Sequence, residues 1–303
     1  MSMRAIIVAN GYVEVDESYA DFQQGDDLII AVDGGTEVAL ELGLRPAVVV
    51  GDLDSLPPQL RATLQESGVQ FVVHPPDKDE TDTELAILYA LEAGASELVL
   101  LGAVGDRLDH TLANILLLTM PELERIPTTL IDGDTQLWVL HGGTELELRG
   151  EEGDIVTLLP LGRDATGVTT TGLEWALDHA TLRPGPARGV SNLMISSSAR
   201  VQLADGLLLV THVACEGQEE AADEGQPDAE LIEVYATQGH MRASVAKSKL
   251  EAAGIPVMLS YDSASRVIGL TVDGIGRVRL LVRAEDAHLA RQLLTEEFPL
   301  EGV

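Results

Sequence analysis

Through residue 132, short runs of apolar and often β-branched residues take turns with longer stretches whose apolar positions recur at helical spacing. "AIIVAN", "LIIAVD", "AVVVGD", "FVVHPP", "LVLLGA" and "TTLIDG" predict strands, and the spans 35–42, 57–67, 81–93 and 109–119 predict helices. Apolar runs without alternation mark strands buried on both faces, so an α/β fold is expected over 1–132, a three-layer domain with a mostly parallel sheet. From 133 to 213 the helical period disappears. "QLWVLHG", "TELELRG", "DIVTLLPL", "ARVQLAD" and "GLLLVTH" follow one another between Gly, Asp and Pro turns, which predicts a small all-β sandwich or barrel domain.

Residues 214–229, "ACEGQEEAADEGQPDA", carry six acids, no base and no aromatic, and predict a solvated linker. Beyond it "ELIEVYA", "IPVMLSY" and the pair flanking Asp273-Gly274 read as strands. "HMRASVAKSKLEAAG" reads as a helix ending at Gly254, and 285–297 as a closing helix. A C-terminal ferredoxin-like α+β domain is expected over 230–303, with Val245, Leu250 and Ala253 on the helix stripe that faces its core.

Fifty acidic against nineteen basic residues give a formal charge of −31, a field that repels phosphate backbones and anionic lipid. Nucleic acid and membranes are thereby disfavoured as partners. No apolar run approaches the ~20 residues that span a bilayer, and "MSMRAIIVANG" is too short for a signal-peptide core. Cys215 is the only cysteine, which excludes an intrachain disulfide and fits a reducing compartment. A cytoplasmic protein is expected.

Acids crowd the ends of successive strands. Asp33 follows the second; Asp52 and Asp54 follow the third in "VVVGDLDS"; Asp77, Asp79 and Asp82 follow the fourth; Asp106 and Asp109 follow the fifth. In an open parallel sheet the carboxyl ends lie along one edge, where ligands bind, so these acids converge. Converging carboxylates repel, and a divalent cation such as Mg²⁺ relieves the repulsion while bridging to phosphate. Lys78 and Arg107 stand among the acids, and Gly34, Gly35 and Gly51 allow close approach of backbone. A single acid after a strand is more simply a turn former or helix cap: Asp33 and Asp109 fit that role, as does Thr81 with Glu84. Caps explain one acid per strand but not the pairs 52/54 and 77/79. Neither GxxxxGK[ST] nor GxGxxG is present, so phosphate is held through metal and carboxylates.

With these residues in order, the chain resembles the thiamine pyrophosphokinases (thiamine diphosphokinases). "ANG" at 9–11, "VDGG" at 32–35, "GDLDS" at 51–55, "DKDETD" at 77–82, "GDRLDHTLAN" at 105–114, "TTGLEWAL" at 170–177 and "GVSN" at 189–192 carry the likeness. The resemblance implies pyrophosphate transfer from ATP to thiamine with Mg²⁺, in a homodimer whose active sites lie at the subunit interface. It implies Asp52, Asp54, Asp79 and Asp82 as metal ligands and Asp52, Asp54, Asp82, Arg107 and Asp109 as the catalytic set. ATP would be contacted by Asn10, Asp33, Gly34, Gly35, Ser55, Lys78 and Thr81, and thiamine by Trp175, Ser191 and Asn192. The proton acceptor stays open between Asp82 and Asp109, and His110 is unassigned. Residues 230–303 are similar to small prokaryotic signal-transducing domains, through "KLEAAGIPVML"; regulation or oligomerisation by this tail would be removed by unchanged kinetics and mass after deletion of 214–303.

Two other readings compete. "GDLDS" has the DxD form of the haloacid-dehalogenase phosphatases, whose first Asp is phosphorylated. There the motif ends the first strand; here it follows the third, with no comparable lysine downstream before Lys247. A non-catalytic nucleotide or thiamine sensor would bind both ligands without forming AMP.

Overall fold

The computed structural model describes residues 3–11, 13, 23–105, 107–215, 231–238, 246–247, 249–250, 253, 255–261, 277–284 and 286–295. The chain divides into two compact units, Met1–Gly217 and Gln218–Val303.

In the first unit, β1 (Arg4–Val8), β2 (Leu28–Val32), β3 (Val48–Gly51), β4 (Gln70–Val73), β5 (Glu97–Leu101) and β6 (Thr128–Asp132) are parallel, in the order β4-β3-β2-β1-β5-β6. Between them run α1 (Gly35–Glu41), α2 (Pro58–Glu66), α3 (Asp82–Glu92) and α4 (Leu108–Leu117). Alternate strand residues feed two cores. Ile7, Ile30, Val50 and Leu100 pack with Ala86, Ile87 and Ala90 of α3, whereas Ile6, Ile29, Val49 and Val99 pack with Ala39 of α1. Two-sided burial is why these strands show unbroken apolar runs. β4 differs: as the edge strand, none of its residues is buried.

The sheet does not stop where the composition changes. β6 pairs antiparallel with β7 (Thr135–His141), and the sheet continues through β14 (Leu207–Val213) and β9 (Ile155–Pro160) to β12 (Asn192–Leu193), ten strands in all. A second sheet of β11 (Ala180–Leu182), β10 (Ala165–Thr171), β13 (Ser198–Leu203) and β8 (Thr144–Arg149) faces that end. Leu148, Leu158, Val168, Val201, Leu208 and Val210 belong to the core they enclose. β10, β11 and β12 lie outside the runs singled out in the sequence. One polar pair sits inside this part: Asp154, 1% exposed, accepts from His212 Nε2 at 2.7 Å and from the N–H groups of Glu151 and Cys215. Burial raises the Asp154 pKa, but those hydrogen bonds outweigh it and leave the carboxyl below its ordinary value.

In the second unit β15 (Leu231–Gln238), β17 (Arg277–Arg283) and β16 (Met258–Tyr261) form an antiparallel sheet in that order, with α5 (Ala287–Thr295) following. Leu250 is fully buried with Val234, Leu280 and Leu294, as its helix stripe predicts, whereas Ala253 is exposed in a turn after the helix. Val245, Gly254, the Asp273-Gly274 turn and all of the acidic linker beyond Cys215 lie outside the described residues. Among the described residues, no helix is long and apolar enough to cross a membrane.

The turn from β2 into α1 is fixed by contact with β1. A Cβ on Gly35 would lie 2.3 Å from the Val8 carbonyl oxygen and 2.7 Å from the Ala9 carbonyl carbon. Glycine to alanine in a helix ordinarily gains up to ~1 kcal/mol; here overpacking against backbone outweighs that gain. Gly35→Ala is expected to destabilise the chain by about 2 kcal/mol, read as a lower urea midpoint; an unchanged or raised midpoint would contradict the packing.

Candidate active site

The carboxyl ends of β1, β2, β3 and β5 build one rim. At the point where strand order reverses, between β1 and β5, the Ala9 N–H donates to the Leu101 carbonyl at 2.8 Å and the Gly11 N–H to the Gly102 carbonyl at 2.7 Å. Such a switch point is where open α/β sheets bind ligands. Asn10 stands here, exposed, with its side chain against Gly34: a Cβ on Gly34 would lie 2.7 Å from Asn10 Nδ2.

Asp33 leaves β2 with φ 44, its N–H donating to the Val50 carbonyl at 3.0 Å. Its carboxylate does not cap α1. One oxygen, Oδ2, accepts from the Ser55 hydroxyl, and the other, Oδ1, is buried without a hydrogen-bond partner. Gly51 explains how β3 can end alongside: at φ 151, its Cβ would stand 3.0 Å from the Cβ of Asp33. Leu53 then takes φ 63, a conformation costly for leucine, and buries its side chain in the core. With that anchor, Asp52 and Asp54 both remain at the rim, the Asp54 N–H donating to Asp52 Oδ1 at 3.1 Å.

Carboxylate oxygens of Asp33, Asp52 and Asp54 lie within 4.8 Å of one another. The charge of Asp52, then burial, then Asp33 and more distantly Asp82 push the Asp54 pKa up. Three hard oxygen donors with one orphaned oxygen fit a divalent cation: it would satisfy Asp33 Oδ1 and cancel the repulsion felt by Asp54. Asp82, at the start of α3, is half-buried and accepts from Lys78 Nζ at 2.6 Å. Asp77 and Asp79 are exposed and outside the three-carboxylate group. Thr81 is the helix cap that the sequence suggested, its hydroxyl accepting from the Glu84 N–H at 3.1 Å.

Arg107 grips Asp109 with two hydrogen bonds, 3.2 Å from Nε and 2.6 Å from Nη2, both side chains about two-thirds exposed. That grip above all, helped by the His110 N–H, holds Asp109 down to about 2. Both cations expected at the rim thus have carboxylate partners, Lys78 with Asp82 and Arg107 with Asp109. Asp106 lies outside the described residues, and His110 is exposed.

The third group lies in the β part. Trp175 is 56% exposed. Ser191 precedes β12 with φ 57, and its N–H donates to the Thr157 hydroxyl at 3.0 Å. Asn192 is buried, with its amide turned to the backbone of Trp175. Three of the four non-glycine residues with positive φ among the described residues, Asp33, Leu53 and Ser191, therefore stand at or beside candidate positions. Sequence reasoning did not identify Leu53 or Thr157; the only signal for Leu53 was its place between two acids.

Residues 19–130 match the thiamin pyrophosphokinase catalytic domain family, and 144–208 the thiamin pyrophosphokinase vitamin B1 binding domain family. Residues 231–297 match a family described as candidate prokaryotic signal transducing proteins. A thiamine pyrophosphokinase of Bacillus subtilis is 29% identical over 204 residues, covering 67% of this chain and 95% of that protein. Thiamine pyrophosphokinase 3 of Oryza sativa subsp. japonica is 32% identical over 168 residues, 52% of this chain and 62% of the rice protein. The crystal structure of the B. subtilis thiamine pyrophosphokinase superposes with TM-score 0.63 at 26% identity, over 71% of this chain and 100% of the other.

The raised pKa of Asp54 has a consequence for stability. Well below the ordinary carboxylate range the group is protonated folded or unfolded and contributes nothing; as pH rises through the ordinary carboxylate pKa the penalty on folding appears, and it is complete above the raised folded value. Asp54→Asn is therefore expected to melt higher than wild type at pH 7 in chelator, with the gap closing as pH falls from the raised value to the ordinary carboxylate pKa. Added Mg²⁺ should raise the melting temperature of wild type more than that of the variant. Equal melting in chelator, or an equal response to Mg²⁺, would contradict the crowding.

Proposed function

As the chain belongs to the thiamine pyrophosphokinase family, we propose that it is a thiamine diphosphokinase that transfers pyrophosphate from ATP to thiamine, releasing AMP. The grouping of Asp33, Asp52 and Asp54 at the ends of adjacent parallel strands carries this reading, since it provides a rim for a metal-bound triphosphate.

In the transfer, the hydroxyl oxygen of thiamine forms a bond to the β-phosphorus as the bond from that phosphorus to the α–β bridging oxygen breaks; the electron pair leaves with AMP. Asp33, Asp52 and Asp54 would hold Mg²⁺, with the charge of Asp82 acting on Asp54 and Asp79 outside the three-carboxylate group. Bound there, the ion would supply charge neutralisation of the phosphate oxygens. Such transfers depend mainly on positioning and electrostatics. Lys78 and Arg107 can meet phosphate oxygens by exchanging their carboxylate partners, phosphate being a comparable bidentate acceptor. That exchange would release Asp82 and Asp109, the two candidates for accepting the hydroxyl proton. The exposed indole of Trp175 offers a face for the cationic thiazolium by stacking and cation–π attraction.

The active form is proposed to be a homodimer. No residue of α4 is buried, and Leu108, Leu112 and Leu116, spaced one helical turn apart, are each more than half exposed. An apolar stripe starting beside the Arg107–Asp109 pair suits a second copy of the chain at the site's edge.

With ATP, Mg²⁺ and thiamine, the purified full chain should release AMP in step with thiamine diphosphate, and chelator should stop it. Asp52→Asn should lower kcat by about a hundredfold or more. ADP as the nucleotide product, or phosphate release without ATP, would overturn the assignment. Separately, Leu112→Glu with Leu116→Glu should sediment as a monomer where wild type sediments as a dimer; a dimer retained in the double variant would remove α4 from the interface.

A further inference from the structure

The structure assigns Asn192 a role distinct from substrate contact: we infer that it is a positioning residue that sets the exposed indole of Trp175 for a flat aromatic cation. The inference rests on the reading of Trp175 as the thiamine platform.

Residues 172–175 are zipped against 192–195. The Ile195 N–H donates to the Gly172 carbonyl at 3.0 Å, Leu173 bridges Met194, and the Glu174 N–H donates to the Leu193 carbonyl at 2.9 Å. At Trp175 the next rung is made by a side chain. Asn192 Oδ1 accepts the Trp175 N–H at 3.0 Å, and Asn192 Nδ2 donates to the Trp175 carbonyl at 2.8 Å. Oδ1 also accepts the Leu193 N–H at 2.9 Å. Both acceptor sites of the amide are filled and one of its two donor hydrogens is committed. At 7% exposure, little of Asn192 is left to meet a ligand.

The clamp is itself anchored. β12 pairs with β9, and the Ser191 N–H is held by Thr157 of that strand. Trp175, by contrast, is more than half exposed, so less of its placement comes from packing and more from where its backbone is held. An aromatic platform fixed before binding spares the ligand the entropy of ordering it. Asn192 fixes both polar groups of that backbone.

The test compares Asn192→Ala, Trp175→Ala and the double variant in the full chain. Losing the clamp is expected to raise KM for thiamine about tenfold, with kcat and KM for ATP changed less than about twofold. In the Trp175→Ala background the same substitution should add no further increase, because residues that act as one unit are not additive. A full second increase would mean that Asn192 contacts substrate itself and would overturn the inference. So would an unchanged thiamine KM in Asn192→Ala when Trp175→Ala raises it.

Fluorescence separates this inference from the platform reading. The chain has two tryptophans; in a Trp138→Phe background, Asn192→Ala should lower the anisotropy of Trp175 without any ligand, and unchanged anisotropy would overturn the inference. If Trp175→Ala leaves thiamine KM unchanged while the anisotropy falls, the platform reading fails and the clamp stands. Should Asn192→Ala not fold, Asn192→Asp keeps the accepted bonds and loses the donated one, with a smaller rise of about threefold expected; no rise would count against the clamp.

Discussion

Repulsion among Asp33, Asp52 and Asp54 is the constraint to which the rest of the first unit answers. Three carboxylates within 4.8 Å do not gather by themselves, and the backbone around them bears the cost. Gly51 lets β3 end against Asp33, Leu53 accepts a left-handed conformation in exchange for burial, and Ser55 ties one Asp33 oxygen so that the other faces inward. Behind them, β2 and β3 are buried on both faces, which leaves the loops little freedom to spread. The arrangement is costly for a bare protein and suited to one that binds a cation, a common exchange of stability for function.

The ten-stranded sheet links the two groups of candidate residues. β6 and β7 join the parallel strands that carry the acids to the antiparallel strands that carry Asn192 and, through it, Trp175. The residues proposed to meet phosphate and those proposed to meet thiamine are therefore placed by one hydrogen-bonded frame, which would suit a transfer whose rate depends on alignment. The buried Asp154–His212 pair ties the turn before β9 to the far end of β14 and stiffens the same frame.

Much of this was legible in the residues. Two-sided burial wrote β1, β2, β3 and β5 as apolar runs, and the acids after them were visible as strand-end pairs. Which acids meet depends on strand order, and order is not written locally: β2 and β3 are neighbours, whereas "DKDETD" follows the edge strand β4, so Asp33 joins Asp52 and Asp54 while Asp79 does not. The helix-cap alternative failed for Asp33 and held for Thr81, a distinction only side-chain geometry supplies. Asp154 and His212 stand 58 residues apart and look in sequence like a turn residue and a strand residue. β10 was passed over because its Thr- and Gly-rich run gives a weak apolar signal, and β11 and β12 because they span only three and two residues.

The most direct test of cation-bridged carboxylates is an anomalous difference map from crystals of the full chain grown with Mn²⁺ and a non-hydrolysable ATP analogue. A manganese peak within coordination distance of Asp33, Asp52 and Asp54, touching the phosphate chain, is the expected result. Manganese bound elsewhere, with those three side chains turned apart into solvent, would contradict it.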